Sequence, residues 1–332
     1  MTEAEFLAAL RTLPLHLGAL GLADDTARLD DLVLTTDTIV EGVHYLPSDS
    51  PADIAWKLVA VNLSDLAAKG ATPEGVLLNY PLIPENTPAK AGAQLRDDEM
   101  GTPRTATPAF PTGPRPPPGW DGVFVAGLSE ALTTLACPLL GGDTVSLPAG
   151  APRVITLTAI GRAAAPPSRT GAQAGDALYV TDTIGDAGAG LRIARGETGS
   201  AALLNAYRRP QPKLAEGRAL APHVHAMMDV SDGLLIDAAR MAEASGLALT
   251  IDLAAVPLSP AYRAFAGDDR PARLAAATAG DDYQLLFAAP ADLILPVPAT
   301  RVGTFAAGAG LSLVDGETPL DLPESLGFIH RA

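Results

Sequence analysis

Apolar residues recur at helical spacing through Ile54, Leu58, Val61 and Ala68, in a segment that opens on Ser50-Pro51 and closes on Gly70. A helix is predicted there, because serine before proline starts a helix, an acid such as Asp53 suits its first turn, and glycine stops it. Asn62, Ser64 and Asp65 interrupt its alanine- and leucine-rich run. At the start of the chain, Thr2 with Glu5 makes a capping-box pattern, so a short helix ending near Leu13-Pro14 is expected. Leu32-Val33-Leu34 predicts a strand that delivers Thr35-Thr36-Asp37 at its end. Strands are also expected over 76–82 and 154–161, with a helix over 121–135 between them. The second half predicts a strand over 177–181, a glycine-rich turn and helix over 185–195, helices over 210–221 and 232–245, and strands over 247–253, 283–288 and 301–305. Mixed order of this kind implies an α+β or layered α/β domain.

Between residues 84 and 118 the pattern dissolves into nine prolines among 35 residues, including Pro116-Pro117-Pro118. Such composition predicts a solvated loop or disordered insertion that can be shortened without loss of the fold, with docking of a proline-recognising partner as a minor alternative. The 332 residues, 48% of them hydrophobic, suffice for two domains, each with its own core. A net charge of -15 argues against a nucleic-acid surface, which needs a basic face. No uncharged run is long enough for a membrane-spanning helix, and Glu3 and Glu5 stand where a secretory signal carries basic residues, so a cytoplasmic protein is expected. The lone Cys137 excludes an internal disulfide and a zinc finger, and its apolar neighbours predict a buried, inert thiol.

The acids are unevenly chosen, 26 Asp against 12 Glu. Five segments place Asp beside small or hydroxylated residues at the edges of elements: Asp24-Asp25-Thr26, Thr35-Thr36-Asp37, Asn62-Leu63-Ser64-Asp65, Gly141-Gly142-Asp143-Thr144 and Asp229-Val230-Ser231-Asp232-Gly233. Each alone reads as a cap or turn. Together they supply what a multi-magnesium site requires: hard oxygen ligands, adjacent hydroxyls, and glycines that admit a phosphate to the backbone. The Gly185 to Gly190 turn at a helix start adds a weaker candidate phosphate cradle. Neither a Gly-x-Ser-x-Gly elbow nor a His-Glu-x-x-His pair occurs, which disfavours two common hydrolase chemistries.

LTTDTIVEGVHYL (34–46), WKLVAVNLSDLAAKGATP (56–73), LLGGDTV (139–145), SRTGAQAGDALYVT (168–181), MDVSDGLLIDA (228–238) and AGDDYQLLF (279–287) together resemble the thiamine-monophosphate kinase family of the aminoimidazole ribonucleotide synthetase-like superfamily. The resemblance implies an N-terminal α+β domain over 1–162 that binds ATP and metal and pairs with its copy in a homodimer, and a C-terminal layered α/β domain over 163–332. It implies ATP-dependent phosphorylation of thiamine monophosphate with several magnesium ions. By motif position the magnesium ligands would be Asp25, Thr35, Thr36, Asp37, Asp65, Asp143, Asp229 and Asp232. ATP would meet Gly142, Asp143, Arg169 and Ser231, and the thiamine side would meet His44, Asp281 and Phe328. Catalysis would fall to Asp65, Arg169 and Asp232. Ala23 departs from the family's glycine and Asp281 from its glutamate. Two alternatives stay open: another ATP-using enzyme of the superfamily, and a catalytically silent dimer that binds magnesium and nucleotide.

Overall fold

The computed structural model describes residues 3–83, 119–148 and 150–329, so Thr2 as a cap and the proline-rich 84–118 stretch lie outside the described residues. In the first half, α1 (Glu3–Leu10) and a 3-10 turn (Leu17–Leu22) precede β1 (Ala27–Leu29) and β2 (Leu32–Val40). There follow α2 (Pro51–Ala68), β3 (Thr72–Leu82), α3 (Trp120–Thr134), β4 (Leu139–Ser146) and β5 (Val154–Arg162). The strands form one sheet in the order β1-β2-β5-β3-β4, antiparallel except for the β3-β4 pair. Alternation along β5 turns Ile155, Leu157 and Ala159 toward α2 and α3, while Val154 and Arg162 at its two ends are exposed. Every residue of the edge strand β4 is exposed.

The second half runs β6 (Ala177–Val180), α4 (Asp186–Ala194), α5 (Ala201–Arg208), α6 (Leu214–Leu220), β7 (Ala226–Asp229), α7 (Leu234–Ser245) and β8 (Ala248–Asp252). It continues with α8 (Pro260–Ala266), α9 (Arg270–Thr278), β9 (Leu285–Ala289), β10 (Thr300–Ala306), β11 (Gly310–Asp315) and β12 (Thr318–Leu320). Its seven-stranded sheet has the order β12-β11-β8-β10-β6-β9-β7, with β11-β8 parallel and the other pairs antiparallel. Both sheets are mixed and both carry helices, an α+β architecture. Among the described residues no helix is long and apolar enough to cross a membrane.

Helix α2 belongs to both halves. Ser50 caps it through Ala52 N–H, and most of its residues are buried. Its first turns pack on the first sheet, while Ala67 and Ala68 near its end join Leu220, Met227 and Phe287 in a core on the second sheet. A Cβ on Gly217 of α6 would lie 1.9 Å from the Ala67 carbonyl oxygen, so only glycine lets the two backbones touch. Trp56 Nε1 also donates to the Pro210 carbonyl at 2.9 Å across the same junction.

Several expectations shift. The helix expected over 210–221 begins at Leu214, because Pro212 disfavours helical backbone before it. The one expected over 232–245 begins at Leu234, since Gly233 at φ 130 is not helical. The strand expected over 283–288 starts at Leu285, because Asp281 and Tyr283 both have positive φ, 67 and 51. The first helix ends at Leu10, short of Leu13. Helices α5, α8 and α9 were not anticipated, although Ser200, Ser259 and Asp269 cap them with their side chains.

Candidate active site

An open cleft of about 1900 Å³ runs between the β2 side of the first sheet and the second half. Strand β2 alternates, so Thr35 is buried while Thr36 is exposed, and Asp37 is half-buried. On α2, Asn62 accepts from the Asp37 backbone N–H at 3.0 Å and donates to the Leu58 carbonyl at 2.9 Å, which ties β2 to the helix. Asp65, one turn further, accepts from the Thr35 hydroxyl. Strand β7 ends on Asp229, which accepts from the Ser64 hydroxyl at 2.5 Å. The motifs from three elements thus meet around one space.

Burial raises the acids first, and mutual repulsion raises them further. Burial, with the charges of Asp25 and Asp232, pushes the Asp37 carboxyl up to about 6. Burial, with Asp25 next, pushes Asp229 up to about 8. Burial and the charges of Asp37, Asp229 and Asp25 hold Asp65 well above the usual carboxylate range. Asp25 moves the other way: Lys69 and Arg169 outweigh the effect of its burial and hold it low. Between the ordinary 3.8 and about 8, the folded protein keeps protons on Asp37 and Asp229 that the unfolded chain has released. Stability of protein stripped of divalent ions therefore falls as pH rises through that window. Thermal melts should show Tm dropping from about pH 5 to about pH 8. A flat or rising Tm would mean that the acids are compensated by some other group.

On the same helix as Asp65, Lys57 draws the expected substrate residues together. Its ammonium, buried in α2, donates to the His44 carbonyl at 2.9 Å and to Asp281 Oδ2 at 2.7 Å, and lies 4.4 Å from the centre of the Tyr207 ring. Tyr283 donates to Asp281 Oδ1 at 3.0 Å. His44 Nδ1 accepts from the Val40 N–H at 3.0 Å, which leaves the proton of the neutral ring on Nε2. Phe328 lines the cleft on the C-terminal tail, its N–H bound to the Asp232 carbonyl. The backbone takes both departures without strain at glycine-only angles. Ala23 sits at φ -114, where the left-handed freedom of glycine is not used, and Asp281 at φ 67 occupies a region that aspartate tolerates better than most residues.

The cleft brings together Asp25, Thr35, Thr36, Asp37, His44, Asp65, Arg169, Asp229, Ser231, Asp232, Asp281 and Phe328. Gly142 and Asp143 are not among its lining residues, because they lie on the exposed strand β4. The Thr36 hydroxyl is spent on Thr158 and the Leu157 carbonyl, away from the acids. Among the described residues, no three His, Cys, Asp or Glu side chains are arranged to hold one metal ion by themselves. The candidate phosphate cradle at Gly185 is filled from within: buried Asp282 accepts from the N–H groups of Gly185 and Ala187. Cys137 is buried, and burial pushes its thiol up to about 11, so it is inert as expected.

Sequence reasoning missed five supporting charges, the first of them Lys57. Asp237, fully buried in α7, accepts from the N–H groups of Ser231, Asp232 and Gly233, and Arg240 bridges Asp237 to Asp232. Asp282 holds the start of α4, and Lys69 holds Asp24 and Asp25. Asp237 and Asp282 had a signal, a further acid inside an acid-rich motif. Lys69 had none.

The AIR synthase related protein family matches this chain by its N-terminal domain at residues 23–96 and 100–163 and by its C-terminal domain at 173–314. A thiamine-monophosphate kinase of Caulobacter vibrioides is 34% identical, across 99% of this chain and 91% of that protein. The chain belongs to the thiamine-monophosphate kinase family. The solved thiamine-monophosphate kinase of Stenotrophomonas maltophilia is 31% identical at a TM-score of 0.68, covering 93% of this chain and 94% of that one. The structure of AaThiL complexed with AMPPCP and TMP is 27% identical at a TM-score of 0.75, covering 95% and 97%. The fold is the two-domain AIR synthase-like arrangement, and the chain is an enzyme, a kinase.

Proposed function

We propose that the chain transfers the terminal phosphoryl group of ATP directly to the phosphate of thiamine monophosphate, giving ADP and thiamine diphosphate. The observation that carries this reading is one cleft lined by two sets of groups: Asp37, Asp65 and Asp229, which have no cationic partners among the described residues, and the Lys57-linked pair His44 and Asp281. The uncompensated acids suit magnesium, whose hard charge prefers carboxylate oxygens. Asp25, Thr35, Asp37, Asp65, Asp229 and Asp232 would hold the ions, together with the Thr36 backbone, and substrate phosphate oxygens would complete their shells. Bound magnesium would neutralise both phosphates and offset charge on the transferring group.

The chain's own residues do the rest. The acceptor phosphate is already anionic at neutral pH, so no general base is needed. Arg169, whose buried Nε has no hydrogen-bond partner among the described residues, offers a forked donor to phosphate. The loop anchored by Asp237 presents Ser231 to the nucleotide and Asp232 to the metal. His44 Nε2, Asp281 and the Phe328 ring receive the thiamine half and aim its phosphate at the acids. Asp65, Arg169 and Asp232 are the groups nearest the transfer. The domains divide at 162/163, and the enzyme works in the cytoplasm as a homodimer. Exposed Leu139, Leu140 and Val145 on β4 support the dimer. Gly142 and Asp143 reach nucleotide and metal only if that edge is carried to a cleft by the second copy.

ADP release with thiamine monophosphate, free thiamine and aminoimidazole-type acceptors at saturating magnesium decides the reading. Turnover is expected with thiamine monophosphate alone. Asp281→Ala should raise its KM by about 10- to 100-fold, the worth of a hydrogen bond to a charged group, while the KM for ATP holds. Asp281→Glu should preserve or lower that KM. Turnover with free thiamine alone, or with an aminoimidazole acceptor, would replace this function by another of the superfamily, and nucleotide binding without turnover would mark the silent dimer.

A further inference from the structure

We propose that Lys69 is a resident cation of the cleft, its ammonium taking the place of one divalent ion at Asp24 and Asp25, so that Asp25 is already satisfied and metal binding falls to the remaining acids. The inference rests on the magnesium-dependent reading above and narrows its ligand set.

Lys69 follows α2 directly, four residues after Asp65, so both leave the same face of the helix. Its side chain is 1% exposed. The ammonium donates to Asp24 Oδ1, to Asp25 Oδ2 at 3.2 Å and to the Met227 carbonyl at 3.3 Å, which uses all three of its protons. The other carboxylate oxygens are taken as well: Asp24 Oδ2 by the Ser168 hydroxyl at 3.0 Å, and Asp25 Oδ1 by Arg169. Two fixed positive charges thus meet two negative ones, and each carboxylate oxygen has a protein donor. A divalent ion on Asp25 would sit about 2 to 2.5 Å from its oxygen, within a few ångströms of the ammonium, with only repulsion between them. At Asp37, Asp65 and Asp229 the situation is opposite. Among the described residues Asp65 and Asp229 accept only from hydroxyls, and Asp37 has no cationic partner. The structure sorts its acids into compensated ones, Asp24 and Asp25 with Lys69 and Arg169 and Asp232 with Arg240, and an uncompensated set, Asp37, Asp65 and Asp229.

Manganese serves as the probe, counted by titration with electron paramagnetic resonance on the full-length protein, with AMPPCP present. Lys69→Met removes the ammonium and keeps an unbranched stem, and it should bind one more Mn2+ per chain than the wild type. Its Tm should also rise with Mn2+ by several degrees more than that of the wild type. Lys69→Arg should retain the wild-type count. Asp25→Asn keeps the side chain's shape and an acceptor oxygen, and it should leave the Mn2+ count unchanged and affinity within about twofold. It decides the matter alone if Lys69→Met does not fold. An unchanged count in Lys69→Met, or the loss of an ion in Asp25→Asn, would overturn the assignment of Lys69 and leave the magnesium reading standing. A wild type that binds no Mn2+ with AMPPCP would overturn that reading, and this inference with it.

Discussion

Asp65→Asn lowers kcat by about 100- to 1,000-fold, the range seen when a preorganised electrostatic group is removed from a reacting centre. The same variant keeps or gains thermal stability, because the amide oxygen can still accept from Thr35 while one of the mutually repelling charges is gone. That opposite movement separates a ligand from a helix-surface acid, which would affect neither quantity. Partial recovery of activity in manganese, which binds N and O ligands more tightly than magnesium does, should accompany it. Steady-state kinetics and a thermal melt on one preparation are enough. Near-normal turnover would show that Asp65 holds no metal.

Asp237→Ala acts on the same cleft from behind. Three backbone N–H groups and one bond of Arg240 lose their acceptor at once in a fully buried position, which should cost about 3 kcal/mol. Tm should fall by on the order of 5 °C, and turnover by about 100-fold, because Ser231 and Asp232 are no longer held in place. Asp237→Asn keeps one acceptor oxygen for the loop and should fall between the wild type and the alanine variant. Equal loss in both would mean that the charge toward Arg240 matters more than the loop contacts.

The acids of the cleft were legible because each sits in a short motif with its own hydroxyl or glycine. Their partners were not. Lys57 meets Asp281 and Lys69 meets Asp24 across 224 and 45 residues, and no local spacing announces such pairs. Of the Asp281-Asp282 doublet, sequence reasoning singled out the member that faces the cleft and passed over the one that caps α4 from a distance. Strand order was hidden for a related reason. β6, β7 and β9 are buried on both faces, so they show no alternation, and β7 is only four residues long. By contrast α2 was readable end to end, because its start and stop are local chemistry.

The backbone contact between Ala67 and Gly217 limits how this chain can vary over time. Two residues before Ala67 stands Asp65, and twelve residues after Gly217 stands Asp229, so the seam sets the distance between acids contributed by different halves. A side chain added at Gly217 would wedge α6 off α2 and widen the gap between those acids without touching either. The mirror case is Gly70, where a Cβ would meet Ala221 at 2.5 Å. Drift in this protein is therefore cheap on the outer helices and expensive at a few small residues that perform no chemistry themselves.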